Sequence, residues 1–149
     1  VPPTARDEGF AEAVEALAAA RARGEQPAAL VVTTLSPRRL RELHFPGEDG
    51  PRDVLLSGQT AKGHYERFRD FTGADWRRIE NVLTRVSDWI EDRPRFRVIW
   101  TEEEKPWKVV IKQAQKSNRE LFLITAHRVK QREVKKLRVE RAAKEGKEA

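Results

Sequence analysis

The longest regular pattern of apolar and polar positions lies between residues 72 and 93. Trp76, Ile79, Leu83, Val86 and Ile90 recur at helical spacing with charged residues between them, which predicts one amphipathic helix. Thr72 and Asp75 stand at the spacing of a capping box, with Asp in place of Glu, and Pro94 ends the run. A second helical pattern near the start carries Phe10, Val14 and Leu17 on one stripe, with alanines around it. Asp7 is placed to cap it, arginines fill its last turn and Gly24 stops it. "AALVVTTL", β-branched and bounded by Pro27 and Pro37, predicts a strand. "SPRRLRELHF" predicts a short helix with Ser36 as cap and Pro37 at the first helical position. "PGEDGPRD" has the residues of a loop and "VLLS" those of a short strand, and "SGQTAKGHYERF" reads as a polar helix.

After Pro94 the period changes from helical to alternating. "RFRVIWT", "WKVVIKQA" and "ELFLITAHR" predict three strands, the last two joined through "QKSNRE" as a hairpin. "VKQREVKKLRVERAAKEGKEA" predicts a helix that frays toward its end. Helices first and neighbouring strands afterwards make an α+β pattern: N-terminal helices on one side of a small antiparallel sheet, with a basic C-terminal helical tail. The divisions expected are an N-terminal helical arm over 1–26, a central domain over 27–129 and a basic helix or tail over 130–149.

Composition narrows the class. The 149 residues are 38% hydrophobic and 36% charged, but four Trp and six Phe supply anchors for a core. With no cysteine, neither a disulfide framework nor a thiolate metal site can form. The chain begins at Val1 and contains no Met, as expected of a processed product or a piece of a longer protein. No apolar run approaches the roughly 20 residues that span a bilayer, so no membrane partner is expected. "AVEALAAARAR" is too short and too charged for a signal-peptide core. The formal net charge is +6, with a pI near 9.9. That surplus favours an anionic partner such as nucleic acid, against the plainer reading of a solvated basic surface. Its placement is uneven: the stretch from Arg128 to Lys147 is strongly basic, whereas "TEEEKPW" is acidic.

Several chemistries lack their residues. "SGQTAKG" misses the Gly-Lys-Ser/Thr ending of a phosphate-binding loop. Ser57 before Gly58 does not make a nucleophile elbow. The three histidines, His44, His64 and His127, have no metal-ligand spacing, and neither metal nor cofactor is expected. His44, at the end of a short helix, reads as structural or exposed. His64, beside Lys62 and Tyr65, is either a solvated or capping histidine or a functional one. His127 ends a strand beside Thr125 and Arg128, either as a functional group or as a strand exit where polarity returns.

Alternation along "ELFLITAHR" puts Leu121, Leu123, Thr125 and His127 on one face and Phe122, Ile124, Ala126 and Arg128 on the other. In "WKVVIKQ", Lys108, Val110 and Lys112 share a face. A hairpin of these strands would bring Lys112 to Thr125 and His127 in a register that alternation alone leaves open. Two imidazoles, lysines and a hydroxyl suit RNA cleavage by internal attack. A base takes the proton of the 2′-hydroxyl, an acid protonates the leaving 5′-oxygen, and fixed cations hold the phosphate. No metal is required, and the 2′-hydroxyl selects RNA.

"VLLSGQTAKGHYERF", "WKVVIKQA" and "RELFLITAHRV" together resemble the phage-associated nuclease domains of the barnase–EndoU–colicin–RelE (BECR) group. The likeness runs from Leu30 to Arg128. It implies a helices-then-sheet fold and a toxin-like, metal-independent ribonuclease that leaves a 2′,3′-cyclic phosphate. It also implies catalytic roles for His64, Lys112, Thr125 and His127, with base and acid unassigned between the histidines, and phosphate contacts from Lys62 and Arg128. The partners implied are RNA or another nucleic acid, phage structural proteins or an immunity protein. The implied location is a phage virion or the bacterial cytoplasm. In the tail, Lys130, Arg132, Lys135, Lys136, Arg138 and Arg141 either track phosphates or form a solvated helix with Glu133 and Glu140 among them. Aromatic residues are too few there for base-specific contacts. Two readings compete with the nuclease: a non-catalytic virion or nucleic-acid-binding module, and an interaction domain whose basic tail docks on an acidic protein.

Overall fold

Three hydroxyl side chains start helices where the sequence places them. Ser36 Oγ accepts the Arg39 N–H at 3.1 Å, Ser57 Oγ accepts that of Thr60 at 3.2 Å, and Thr72 with Asp75 completes the capping box. A computed structural model describes residues 1–46, 50–85, 87–114 and 120–148. Among them the chain forms α1 (Phe10–Ala22), β1 (Leu30–Leu35), α2 (Pro37–Glu42), β2 (Arg52–Leu56), α3 (Gly58–Arg67), α4 (Gly73–Thr84), β3 (Asp88–Glu91), β4 (Phe96–Trp100), β5 (Trp107–Gln113), β6 (Leu121–Arg128) and α5 (Gln131–Glu148). The architecture is mixed α+β, with N-terminal helices preceding most of the sheet. The residues expected to turn between β5 and β6, 115–119, lie outside those described.

The six strands order as β1-β2-β6-β5-β4-β3. Every pairing is antiparallel except β2 with β6. That parallel pairing is brief, joining only Val54 with Leu121 and Leu55 with Phe122. Beyond Leu123, β6 therefore parts from β2, and α3 packs against the edge this leaves.

The expected helix over 72–93 is cut short. α4 stops at Thr84, Arg85 is already extended, and residues 88–91 pair with β4 as an edge strand. The segment around Trp89 and Ile90 fits either period, and a waiting strand supplies the hydrogen bonds that decide it. Arg39 fixes the break. Its buried guanidinium donates to the carbonyls of Leu83 at 2.7 Å and Val82 at 3.2 Å and to Ser87 Oγ at 3.1 Å, satisfying the helix end. Val86, the fourth residue of the expected stripe, lies outside the described residues.

The main core fills the space between one sheet face and α1, α3 and α4, with Phe10, Leu35, Leu40, Trp76, Ile79, Trp107 and Ile111 among its members. The 1–26 segment enters this same core through Ala5, Phe10, Val14 and Leu17. A second cluster lies on the opposite face, where Val134 and Leu137 of α5 cover Ile90, Val98 and Trp100. Helices thus pack on both faces of the sheet, not on one. Among the described residues no helix is long and apolar enough to cross a membrane.

A β-bulge in β6 reshapes the face assignment. Val110 pairs with Thr125 but Ile111 pairs with Leu123, so Ile124 is the extra residue. Leu121, Leu123 and Ala126 point into the main core, and Phe122, Thr125 and His127 share the other face with Lys112, Val110 and Lys108. The expected row of Leu121, Leu123, Thr125 and His127 is therefore split at Ile124.

Candidate nucleic-acid interface

α3 ends at Phe68, whose N–H bonds the His64 carbonyl at 2.8 Å, and a tight turn then carries Phe71 back against the sheet. This turn and the parted end of β6 enclose His64. The imidazole is 5% exposed. Its ring packs on Phe68 at 4.9 Å, Phe71 at 4.4 Å and Trp76 at 5.1 Å between centroids. Its Nε2 lies 3.1 Å from the Ala126 carbonyl, an arrangement in which it carries the proton and donates. Burial holds its pKa below the ordinary value; the bond to Ala126 opposes this, and Arg67 and His127 add to the lowering. His64 is a neutral, satisfied core histidine that ties α3 to β6.

His127 lies on the other side of Phe68. The two rings stack at 5.3 Å with 15° between planes. His127 Nδ1 is 2.9 Å from the Arg128 carbonyl, which fixes the proton of the neutral ring on Nδ1 and leaves Nε2 as an acceptor. Across the hairpin stands Lys108, whose ammonium donates to Glu133 of α5 at 2.8 Å. That hydrogen bond holds the Glu133 carboxyl below the usual range, against the effect of burial, with the Lys108, His127 and Lys136 charges reinforcing it.

Of the other expected catalytic and phosphate-contact residues, only Arg128 joins His127. Lys112 pairs with Phe122 and Phe96, and its ammonium sits 5.2 Å over the Phe96 ring. Four strand residues separate it from Lys108, about 13 Å along the hairpin. Thr125 Oγ1 is buried without a hydrogen-bond partner among the described residues. Lys62 pairs with Glu66 along α3 at 3.1 Å. His44 takes a left-handed backbone (φ 58°) after α2 and packs edge-on against Trp89 at 4.8 Å, a structural position.

A different set of residues gathers at His127. The 67–71 turn, the start of α4, Trp107 and the end of β6 enclose an open cleft of about 330 Å³. Arg67, Arg69 and Arg128 supply its charge, the half-buried Phe68 and Phe71 supply ring surface, and the buried Trp107 forms its floor beneath Arg128. The guanidiniums lie over aromatic rings, Arg67 over Phe68 at 5.3 Å, Arg69 over Tyr65 at 6.0 Å and Arg128 over Trp107 at 4.7 Å. Arg128 also donates to the Lys105 carbonyl at 2.6 Å. Two carboxylates complete the lining. Asp75 is committed to the α4 capping box, whereas Asp70 has no hydrogen bond or ion pair among the described residues.

Another cleft of similar size, about 310 Å³, lies between α4 and the end of β4 and differs in kind. There Arg78 pairs with Glu103, and the lining Glu102 and Asp88 pair with Arg138 and Arg141 of α5, with Arg85 exposed beside them. The guanidiniums of the His127 cleft form no ion pair among the described residues.

Arg67, Phe68, Arg69 and Phe71 escaped the motif reading, although "HYERFRDF" interleaves arginines with aromatic rings, a pattern suited to binding phosphates and bases together. No family model, no curated protein and no solved structure matches the chain, so its likeness to the BECR group rests on the quoted motifs alone.

Proposed function

We propose that the chain binds single-stranded nucleic acid at the His127 cleft, as a module that need not cut what it binds. One observation carries the reading: three guanidiniums without ion pairs among the described residues share an open cleft with the rings of Phe68, Phe71 and Trp107. Guanidiniums pair with phosphate oxygens, and bases stack on ring faces for about 1–3 kcal/mol each. The net charge of +6 adds long-range attraction. The two-histidine cleavage scheme loses ground because His64 is sealed in the core and Lys112 stands at the far end of the hairpin.

The test is fluorescence anisotropy with a labelled single-stranded RNA 12-mer at low salt in EDTA. Arg67→Glu and Arg69→Glu are each expected to weaken binding at least tenfold, with the urea midpoint unchanged. Unaltered affinity in both variants refutes the cleft as the binding site.

A specific observation favours cleavage as a second reading. The Arg128 carbonyl pins His127 Nδ1, so Nε2 is the atom left to exchange protons, and Asp70 lines the same cleft. In this scheme the Asp70 carboxylate takes the 2′-hydroxyl proton, and the 2′-oxygen attacks phosphorus. The 5′-oxygen leaves with a proton from the His127 imidazolium, and the product is a 2′,3′-cyclic phosphate. Gel analysis of the same incubations separates the readings. Intact RNA supports binding alone, whereas cleavage lost in His127→Ala and Asp70→Asn supports the nuclease.

A further inference from the structure

The cations of α5 between Arg132 and Arg141 fall into two sets. Arg138 reaches Glu102 at 3.4 Å and Arg141 reaches Asp88 at 2.8 Å, flanking the buried Val134 and Leu137 and fastening the helix to the sheet. Arg132, Lys135 and Lys136 are exposed and have no ion pair among the described residues, and with the 63%-exposed Val139 they follow the i, i+3, i+4, i+7 spacing of a single ridge. That ridge lies opposite the side carrying Val134, Leu137 and Arg141. The acid nearest to it in the first turn, Glu133, is turned to Lys108.

The junction between cleft and helix is held rigidly. Val129 N–H bonds the Pro106 carbonyl at 2.8 Å, Arg128 bonds that of Lys105, and the Gln131 amide donates to the carbonyls of Glu103 and Glu104. Arg128 in the cleft is thus followed within four residues by the first cation of the ridge, with the exposed Lys130 between them.

We propose that the outward ridge of α5 continues the cleft as a phosphate track, so that the ligand is a strand several nucleotides long with one end in the cleft. The proposal rests on the nucleic-acid reading of the cleft. From Arg132 to Val139 the ridge runs about 10 Å along the helix axis, a length added to the cleft itself. The ridge offers no ring for stacking, so it senses the charge and length of the strand, not its bases.

The experiment compares a labelled RNA trimer with a labelled 12-mer, using the full chain, the triple variant Arg132→Ala/Lys135→Ala/Lys136→Ala, and Arg67→Glu. Circular dichroism and the urea midpoint verify that each variant is folded. The full chain is expected to bind the 12-mer at least tenfold tighter than the trimer. The triple variant should bring the 12-mer close to the trimer and reduce its log–log salt slope by about 2, at roughly 0.7 for each phosphate no longer neutralised. Arg67→Glu should weaken both RNAs. If the triple variant leaves the 12-mer unchanged while Arg67→Glu weakens it, the track is refuted and the cleft stands. If Arg67→Glu changes neither RNA, the cleft reading fails and the track with it. Loss of binding to phosphatidylserine vesicles in the triple variant, with 12-mer affinity intact, overturns the proposal by assigning the ridge to a lipid surface.

Discussion

His64 and His127 are the same residue type a few ångströms either side of Phe68, and burial with the bond to the Ala126 carbonyl sets His64 apart. The folded chain resists protonating His64, whereas the unfolded chain takes that proton near the ordinary pH of about 6.5. The sign follows from linkage: the pKa is depressed on folding, so stability is full above about pH 6.5 and is lost as pH falls from there to the folded-state value. His64→Gln keeps an N–H for the Ala126 carbonyl and removes the titration. The difference between urea midpoints at pH 7.5 and pH 5.5 should therefore shrink in the variant, and an undiminished difference would rule out His64 as its source. Arg39 makes a second prediction. Its buried guanidinium serves the Val82 and Leu83 carbonyls, and Arg39→Met leaves the Leu83 carbonyl unpaired and the Val82 carbonyl with Ser87 Oγ alone, at an expected cost of about 3 kcal/mol in urea unfolding. A cost below about 1 kcal/mol would mean that water replaces the guanidinium. Of the residues first expected to act, His127 and Arg128 reach the cleft. Lys112 and Thr125 do not, because register and the Ile124 bulge set their neighbours.

α1 begins after Gly9 with no side-chain cap, the expected Asp7 accepting instead from the Thr4 N–H, but the starts of α2 and α4 were legible because a cap joins residues three apart. Ser57 is such a cap, and α3 depends on it to present Arg67. Ser57→Ala is expected to lower stability by about 1 kcal/mol, read from the denaturation midpoint. A loss of binding larger than that stability change would show that the cap also positions the cleft. The end of α4 and the existence of β3 were not legible. Residues 88–91 are short and partly apolar, and only β4 alongside tells a strand from another helical turn. The strands after residue 95 were legible in place and extent, since alternation and bounding turns are local. The pairing of β5 with β6 was legible with them, but the parallel pairing of β6 with β2 was not, because it joins segments far apart in the chain.

The sheet is covered on both faces, so the basic C-terminal segment is also structural. α5 shields Ile90, Val98 and Trp100. Truncation after Val129 should expose them and lower stability by at least about 3 kcal/mol, from the burial that Val134, Leu137 and the covered strand residues would forfeit. Increased dye binding to the exposed face should accompany the lower urea midpoint, and an unchanged midpoint would show α5 to be separable. Period, caps, anchoring aromatics and the basic end are written in stretches of a few residues, and from these the α+β class and the starts of α2 and α4 could be read and an anionic partner expected. The company each residue keeps was settled by segments far apart in the chain. Their packing sealed His64, parted β6 from β2, inserted the bulge at Ile124 and gathered Arg67, Arg69 and Arg128 around His127. The reason is physical: a cap or a period is satisfied by near neighbours, whereas register and site geometry depend on which distant strands and helices share one core.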